Sequence, residues 1–196
     1  MFIPEEIKRH IKTFLPYRPK TKDELQTAIY EYFTFWPYSR GAVEKYGKIE
    51  TWDTSCIEDM SELFKEMYYL EACAIENWDV SNVTNFRNMF EGCLNFDIDI
   101  GNWDVGSGED FTGMFKNCKR FEQNISDWNV ENGLYFDYMF YGSRFNKNIS
   151  KWKPKRAISM TYMFAHSNFT RTVNEWEQYI DLNIPMTNIF LKSGMN

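Results

Sequence analysis

Large apolar residues recur along most of this chain at a spacing of about 25 positions. Tryptophan is the clearest marker, because six of the seven tryptophans are separated by 26, 25, 25, 24 and 24 residues. They are Trp52, Trp78, Trp103, Trp128, Trp152 and Trp176. A constant period of roughly 20 to 50 residues is typical of proteins built from stacked structural repeats. The pattern therefore predicts a repeat protein.

Other apolar positions keep a fixed distance from each tryptophan. An aliphatic residue stands three positions before it, and an apolar residue followed by phenylalanine stands eleven and twelve positions after each of the first five. These pairs are Leu63-Phe64, Met89-Phe90, Met114-Phe115, Met139-Phe140 and Met163-Phe164. One unit cannot bury such residues by itself, but stacked units bury each column against its neighbours. We expect these columns to form the core.

Within a unit, the pattern predicts two short elements. The segment 80–84 is typical of a short strand bounded by turn-forming residues. Phe86, Met89 and Phe90 are spaced i, i+3 and i+4, which places them on one face of a short helical turn. The predicted fold is therefore an α/β repeat: a leucine-rich-repeat-like solenoid of about five units of 24–26 residues, covering 47–173.

The two ends of the chain depart from the repeat. Residues 1–46 lack it and are predicted to form a helical N-terminal cap. Apolar residues near the start follow helical spacing, and the run 21–24 is typical of a capping box that opens a second helix with Leu25, Ile29 and Phe33 on one side. After Trp176 the next apolar–phenylalanine pair comes two positions late, so 174–196 is predicted to be a divergent C-terminal cap.

The repeat resembles a known family. The run 77–85 (NWDVSNVTN), followed by Met89-Phe90, Cys93 and Phe96, is similar to the BspA-type repeat. That family is a divergent, leucine-rich-repeat-like group found in bacterial surface proteins and in large DNA viruses. The resemblance covers about residues 47–173. It implies a repeat fold and a general role in binding other macromolecules, and it implies no catalytic residue.

A second, shorter resemblance lies at the N-terminus. The run 3–7 (IPEEI), followed by further apolar residues up to Leu15, is similar to the opening of an F-box. An F-box would dock onto the adaptor of a ubiquitin ligase. The residues that would make this contact are Ile3, Pro4, Ile7 and Ile11. The alternative for the same residues is a plain helical cap over the first repeat.

Charge is distributed unevenly along the chain. Residues 50–110 contain fifteen acidic residues and only Lys65 and Arg87 as cations, whereas 138–174 contain seven cations and no acidic residue. A stack that keeps sequence order in space would therefore have one acidic and one basic end. We predict partner binding by the basic cluster of Arg144, Lys147, Lys151, Lys153, Lys155 and Arg156. The alternative for these residues is an ordinary solvated surface.

The composition argues against several kinds of site. The net charge of -6 argues against general attraction to nucleic acid. Four cysteines without a CxxC pair, together with only two histidines, argue against a metal site, and we interpret the cysteines as small buried side chains. No catalytic or cofactor-binding motif is found, so we expect no enzyme activity, no cofactor and no small-molecule substrate. No segment approaches eighteen consecutive apolar residues, which argues against a membrane span.

These observations favour a non-enzymatic scaffold that binds protein partners through a repeat solenoid. The main alternative is a structural component of a large assembly, such as a minor capsid protein of a large DNA virus. Such a component would contact coat proteins, or other copies of itself by pairing acidic and basic ends. The second alternative is an F-box-type substrate receptor. Because the N-terminus lacks the features of a secretory signal, we expect an intracellular (cytoplasmic) or virion location.

Overall fold

The computed structural model describes residues 15–34, 40–68, 70, 73–181 and 183–194. Two α-helices come first, α1 at Lys22–Thr34 and α2 at Arg40–Tyr46. Two short 3-10 helices follow, at Ile49–Thr51 and Asn174–Gln178. Among the described residues, no helix is both long enough and apolar enough to cross a membrane.

Helix α1 begins at the predicted capping box. The Glu24 N–H donates to Thr21 Oγ1 over 3.2 Å, and the Lys20 N–H donates to the Glu24 carboxylate over 2.7 Å. Both bonds satisfy backbone donors that the first helical turn leaves unpaired. Leu25 and Ile29 are fully buried on one side of the helix. The second predicted helix is thus confirmed, while the first predicted helix lies outside the described residues, apart from its last position, Leu15.

The repeats continue through six seven-residue segments that we call the turn segments. They are 60–66, 86–92, 111–117, 136–142, 160–166 and 186–192. In each of the first five segments, the N–H groups of the third, fifth and seventh residues donate to carbonyl groups of the next segment, and the first residue donates to the carbonyl group of the residue just before it. Phe90, for example, donates to Met114 over 3.0 Å, and Phe115 donates to Met139 over 2.9 Å. Each segment is therefore hydrogen-bonded to its neighbour through the backbone.

The turn segments differ from the predicted helical turn. Their third and seventh residues have left-handed backbone angles, as at Asn88 (φ 53°) and Gly92 (φ 74°). Such residues interrupt a right-handed helix and instead form consecutive turns, in which the Met89 N–H donates to Phe86 over 3.1 Å. Helix and turns both bury positions i, i+3 and i+4, so the apolar spacing does not distinguish them. The turns leave alternate N–H groups free to bond the next unit.

Extended structure is also shorter than predicted. In the part of the chain that the structure describes, parallel pairing is confined to isolated bridges, which join Asp59 to Asn85, Asn85 to Asp110, Asp110 to Tyr135, and Tyr135 to Ser159. The predicted strand at 80–84 precedes one of these bridges. The assignment to a leucine-rich-repeat-like fold class stays a prediction, as does the division into an N-terminal cap, repeats and a C-terminal cap.

The core consists of the predicted apolar columns. Phenylalanines at the fifth position of successive turn segments stack with ring centroids 5.5–5.8 Å apart, from Phe64 to Phe190. Each tryptophan from Trp78 onward donates its indole N–H to an isoleucine carbonyl of the preceding unit, as Trp128 does to Ile100 over 3.1 Å. Burying one aromatic side chain contributes about 4–6 kcal/mol before entropy.

The helices cover the first turn segment. Phe33 of α1 lies 6.4 Å from Phe64 between ring centroids, and Tyr17, Tyr32 and Tyr46 surround the ring of Trp52. The start of the stack is consequently dry, with Phe64 fully buried. At the other end, residues 185–191 still accept hydrogen bonds from the fifth turn segment, so the stacking extends into the region predicted as a C-terminal cap.

Candidate interaction surface

The turn segments present one continuous outer face. Their first, fourth and fifth residues point into the core and are buried in each of the first five segments. The outer face, which we call the turn face, is formed by residues at the second, third, sixth and seventh positions, although five of these residues are buried: Ser61, Thr112, Gly113, Gly142 and Ala165. Because each segment is hydrogen-bonded to the next, equivalent residues of the turn face lie side by side along the stack.

The first three units place charged side chains on the turn face. The Lys65 ammonium lies 3.1 Å from the Glu91 carboxylate, and the Lys116 ammonium lies 2.7 Å from the other oxygen of the same carboxylate. Burial alone would raise the pKa of Glu91, but the hydrogen bonds from Lys116 and Lys65 outweigh it and hold that pKa below its ordinary value. The three charged side chains in this row therefore pair with one another.

The next two units replace these charges with aromatic side chains, which we call the tyrosine cluster: Tyr138, Tyr141, Tyr162 and His166. The rings of Tyr138 and Tyr162 stack 5.2 Å apart with an interplanar angle of 9°. Tyr141 contacts Tyr138 at 5.7 Å and His166 at 5.2 Å. The cluster thus joins the fourth and fifth turn segments through side chains on the outside of the stack.

The cluster has polar neighbours on both sides. The Lys116 ammonium lies 5.9 Å from the centroid of the Tyr138 ring, and Asn188 donates its side-chain N–H to the Tyr162 hydroxyl over 2.8 Å. Two further apolar side chains, Tyr135 and Ile158, are exposed just before the fourth and fifth turn segments. The arrangement is an apolar centre with a polar rim, which is the typical anatomy of a protein-binding surface.

Two of the tyrosines have an unusual backbone. Tyr138 has φ 57° and Tyr162 has φ 56°, in the left-handed region. At the same position, the second and third turn segments have Asn88 and Gly113, residue types that tolerate this conformation. A bulky residue there is less stable by roughly 1–2 kcal/mol. The same conformation occurs at Glu62 (φ 60°), so the repeat imposes a left-handed backbone at this position whichever residue occupies it.

The predicted basic cluster is spread over several parts of the surface. Three of its members pair with acidic residues of the preceding unit: Lys147 with Glu122 at 3.6 Å, Lys151 with Asp127 at 3.4 Å, and Lys155 with Glu131 at 2.8 Å. Arg156 donates to Asn132. The basic side chains therefore lie beside acidic side chains of the preceding unit. These acidic groups offset much of the positive charge of the basic cluster.

The two remaining cations line separate grooves. Arg144 lines an open groove with Glu122 and His166, whereas Lys153 lines another with Glu175 and Tyr179. Partner binding by the six cations therefore stays a prediction. The predicted N-terminal docking residues, Ile3, Pro4, Ile7 and Ile11, lie outside the described residues.

The cysteines behave as core residues with one exception. Cys73, Cys93 and Cys118 are buried, and the Cys93 and Cys118 thiols lie 2.9 Å and 3.0 Å from the carbonyl oxygens of Phe64 and Phe90. Burial raises the pKa of Cys93 to about 12, which keeps the thiol protonated. Cys56 is exposed, contrary to the prediction. The described residues contain no group of histidine, cysteine or acidic side chains able to hold a metal ion.

The sequence interpretation missed the tyrosine cluster because it followed what the repeats have in common. The available signal was a departure from the pattern: the position ten residues after tryptophan is occupied by Glu62, Asn88 and Gly113 in the first three units, and then twice by tyrosine. A large side chain that replaces small or charged ones in consecutive repeats marks a surface that differs locally from the rest of the stack.

Comparison with known proteins identifies the repeat. A family model described as "Mycoplasma protein of unknown function, DUF285" matches residues 35–144 and 110–193. This model describes the BspA-like repeat, so the resemblance of the repeats is confirmed, whereas nothing supports an F-box. No curated protein and no solved structure matches the chain significantly.

Proposed function

We propose that this chain, which belongs to the DUF285 family, is a non-enzymatic scaffold that binds a protein partner through the tyrosine cluster. A repeat family is compatible with such a role, because stacked units create extended surfaces suited to macromolecular partners. The observation that carries the proposal is the pair Tyr138 and Tyr162, two stacked tyrosines held in a left-handed backbone.

The chemistry of the cluster favours a protein partner. Tyrosine is enriched at the centre of protein interfaces, since it buries a large rigid ring while its hydroxyl still forms hydrogen bonds. Tyr135, Tyr138 and Ile158 each expose more than a third of their surface. Apolar surface of this kind on neighbouring units is covered in a complex, and the charged row beside it supplies a polar rim.

The experiment uses substitutions that should leave the fold intact. Tyr138→Asn and Tyr162→Asn together introduce the residue that Asn88 and Asn188 already provide at equivalent left-handed positions. The loss of ring stacking and the relief of backbone strain are each about 1 kcal/mol and have opposite signs, so we expect little change in stability. Glu62→Asn is the control, because it introduces the same residue at the equivalent left-handed position of the first turn segment, outside the tyrosine cluster.

Affinity purification from the native source, with quantitative mass spectrometry, would compare the three proteins. We expect at least one partner that is recovered by the unaltered chain and by Glu62→Asn, and lost by the double tyrosine variant. Binding of that purified partner should then weaken by about 2 kcal/mol or more, as expected for the loss of central aromatic contacts. Equal recovery by all three proteins would show that the tyrosine cluster is not the binding surface.

A further inference from the structure

The sixth turn segment ends in a row of backbone donors without acceptors. In each of the first five segments, four alternate N–H groups donate to the following segment or to the residue just before it. The equivalent groups of the sixth segment belong to Met186, Asn188, Phe190 and Lys192, and no acceptor lies opposite them among the described residues. We call this row the open edge.

Apolar side chains at the open edge are incompletely buried. Met186, Ile189 and Phe190 are only partly buried, although Met160, Met163 and Phe164 at the same positions of the fifth segment are at most 1% exposed. The ring of Phe190 stacks on Phe164 at 5.5 Å on one side. Its other side lacks the neighbour that the next segment provides everywhere else in the stack.

Hydrogen-bond polarity restricts what can cover this edge. At the third, fifth and seventh positions, N–H groups of one segment meet carbonyl groups of the next. Two copies of the chain related by a two-fold axis would place donors opposite donors, so symmetric self-association is disfavoured. A head-to-tail contact would need the first turn segment of another copy, but Phe33 and the other cap residues already cover it.

We propose that the open edge binds an extended segment of a different protein, which adds a seventh turn segment to the stack. Addition of a peptide to an exposed backbone edge is an established mode of recognition, in which main-chain bonds provide affinity and side-chain positions provide specificity. The added segment would form the backbone contact that joins neighbouring turn segments five times within the chain. This contact does not involve the tyrosine cluster.

The side chains of the open edge define the partner's chemistry. The partner segment carries an apolar residue followed by an aromatic residue, which stack over Ile189 and Phe190 as each pair does on the pair before it. Lys192 is exposed at the seventh position and favours an acidic residue two places after the aromatic one. The chain's own run 60–66 (MSELFKE) has this pattern, although it is buried in place.

A synthetic peptide with the sequence of residues 57–68 is therefore a suitable probe. We expect saturable binding to the full chain, and slower hydrogen exchange at the amides of Met186, Asn188, Phe190 and Lys192 when the peptide is bound. The same peptide with its Phe64 position changed to Asp is the matched control, and it should bind at least roughly tenfold more weakly.

Phe190→Asp tests the other side of the contact. Because Phe190 is at the end of the stack, we expect this variant to remain folded, as checked by near-ultraviolet circular dichroism. It should weaken peptide binding at least roughly tenfold and leave partner capture by the tyrosine cluster unchanged. Unchanged hydrogen exchange of the four amides at saturating peptide, or self-association that depends on Phe190, would overturn the proposal.

Discussion

The first and the last turn segments of the stack have the same kind of apolar residues but differ in how far these residues are buried. At the first end, Phe64 is fully buried, and Phe33 of α1 packs against it. At the last end, Phe190 occupies the same position and is only partly buried, with its ring covered on one side. The apolar pattern of a repeat therefore does not determine burial by itself. Burial depends on whether a neighbour is present on each side.

Within the described ranges, the first unit also lacks one hydrogen bond that the later units form. Trp78 and its successors donate to an isoleucine carbonyl of the unit before them, but Trp52 has no such unit. Its indole N–H is buried without a hydrogen-bond partner among the described residues. The helical cap thus replaces the apolar contacts of a preceding repeat without replacing its hydrogen bond.

The largest expected effect on stability comes from a substitution that disrupts the packing of α1 at the capped end. Ile29→Asp places a charge on the fully buried side of α1 and should detach the helix from Trp52 and Phe64. We expect a loss of about 4 kcal/mol or more in the free energy of unfolding. Phe190→Asp at the open end should cost only about 1 kcal/mol, because the site is already partly hydrated. Urea unfolding followed by tryptophan fluorescence measures both, and similar losses would contradict the contrast between the ends.

A smaller difference in stability is expected between substitutions of the first tryptophan and of an interior one. Trp128→Phe removes a hydrogen bond and leaves the Ile100 carbonyl with the Trp103 backbone N–H as its remaining donor, whereas Trp52→Phe removes a donor that was unpaired already. Both changes lose similar ring volume, so their difference isolates the hydrogen bond. We expect Trp128→Phe to be more destabilising by about 0.5–1.5 kcal/mol, the net contribution of one hydrogen bond. If thermal and urea unfolding rank the two variants equally, Trp52 has a partner in solution.

The smallest predicted effect is a pH dependence of the stability of the capped end. Burial alone would raise the pKa of Asp59, but hydrogen bonds from Ser61 and the Lys22 ammonium 3.3 Å away outweigh it, and this pKa lies below its ordinary value. Its stabilising contribution is therefore present above the ordinary pKa of an aspartate and is lost as the pH falls through the lowered value.

Hydrogen exchange of α1 measures this contribution. Protection of the helix should decrease at acidic pH in the unaltered chain, and Asp59→Asn should remove the carboxylate's part of that dependence. Amides of the sixth turn segment, which lies far from Lys22 along the stack, serve as the internal reference. An identical pH dependence of α1 in Asp59→Asn would mean that other groups control it.

The columns of the core were predictable because they repeat. Trp78, Met89 and Phe90 recur at fixed spacing, and each is buried as expected. The helix-like spacing of Phe86, Met89 and Phe90 misled the local assignment, because consecutive turns bury the same positions. The distinguishing residues are Asn88 and Gly92, both of which favour a left-handed backbone and stand four positions apart.

The surface was less predictable, for a different physical reason. A cation's partner stands one period earlier in sequence, as Glu131 does for Lys155, and a run of like charges conceals this pairing. The tyrosine cluster was missed because it is an exception to the repeat. Tyr138 and Tyr162 are adjacent only once the units are stacked, and their left-handed backbone is indicated only by Asn88 and Gly113 at the same position of earlier units.

The backbone bonds between turn segments also determine how the molecule would respond to mechanical force. Each of the first four turn segments, with the residues just before it, is attached to the next by six main-chain bonds, and most units add one indole bond. Tension applied at the C-terminus would therefore detach the units in reverse order, beginning at the uncovered end. Each release would lengthen the chain by about 85 Å, the span of one extended repeat. Under tension the stack would therefore behave as a series of units of similar mechanical stability that ends at the two N-terminal helices.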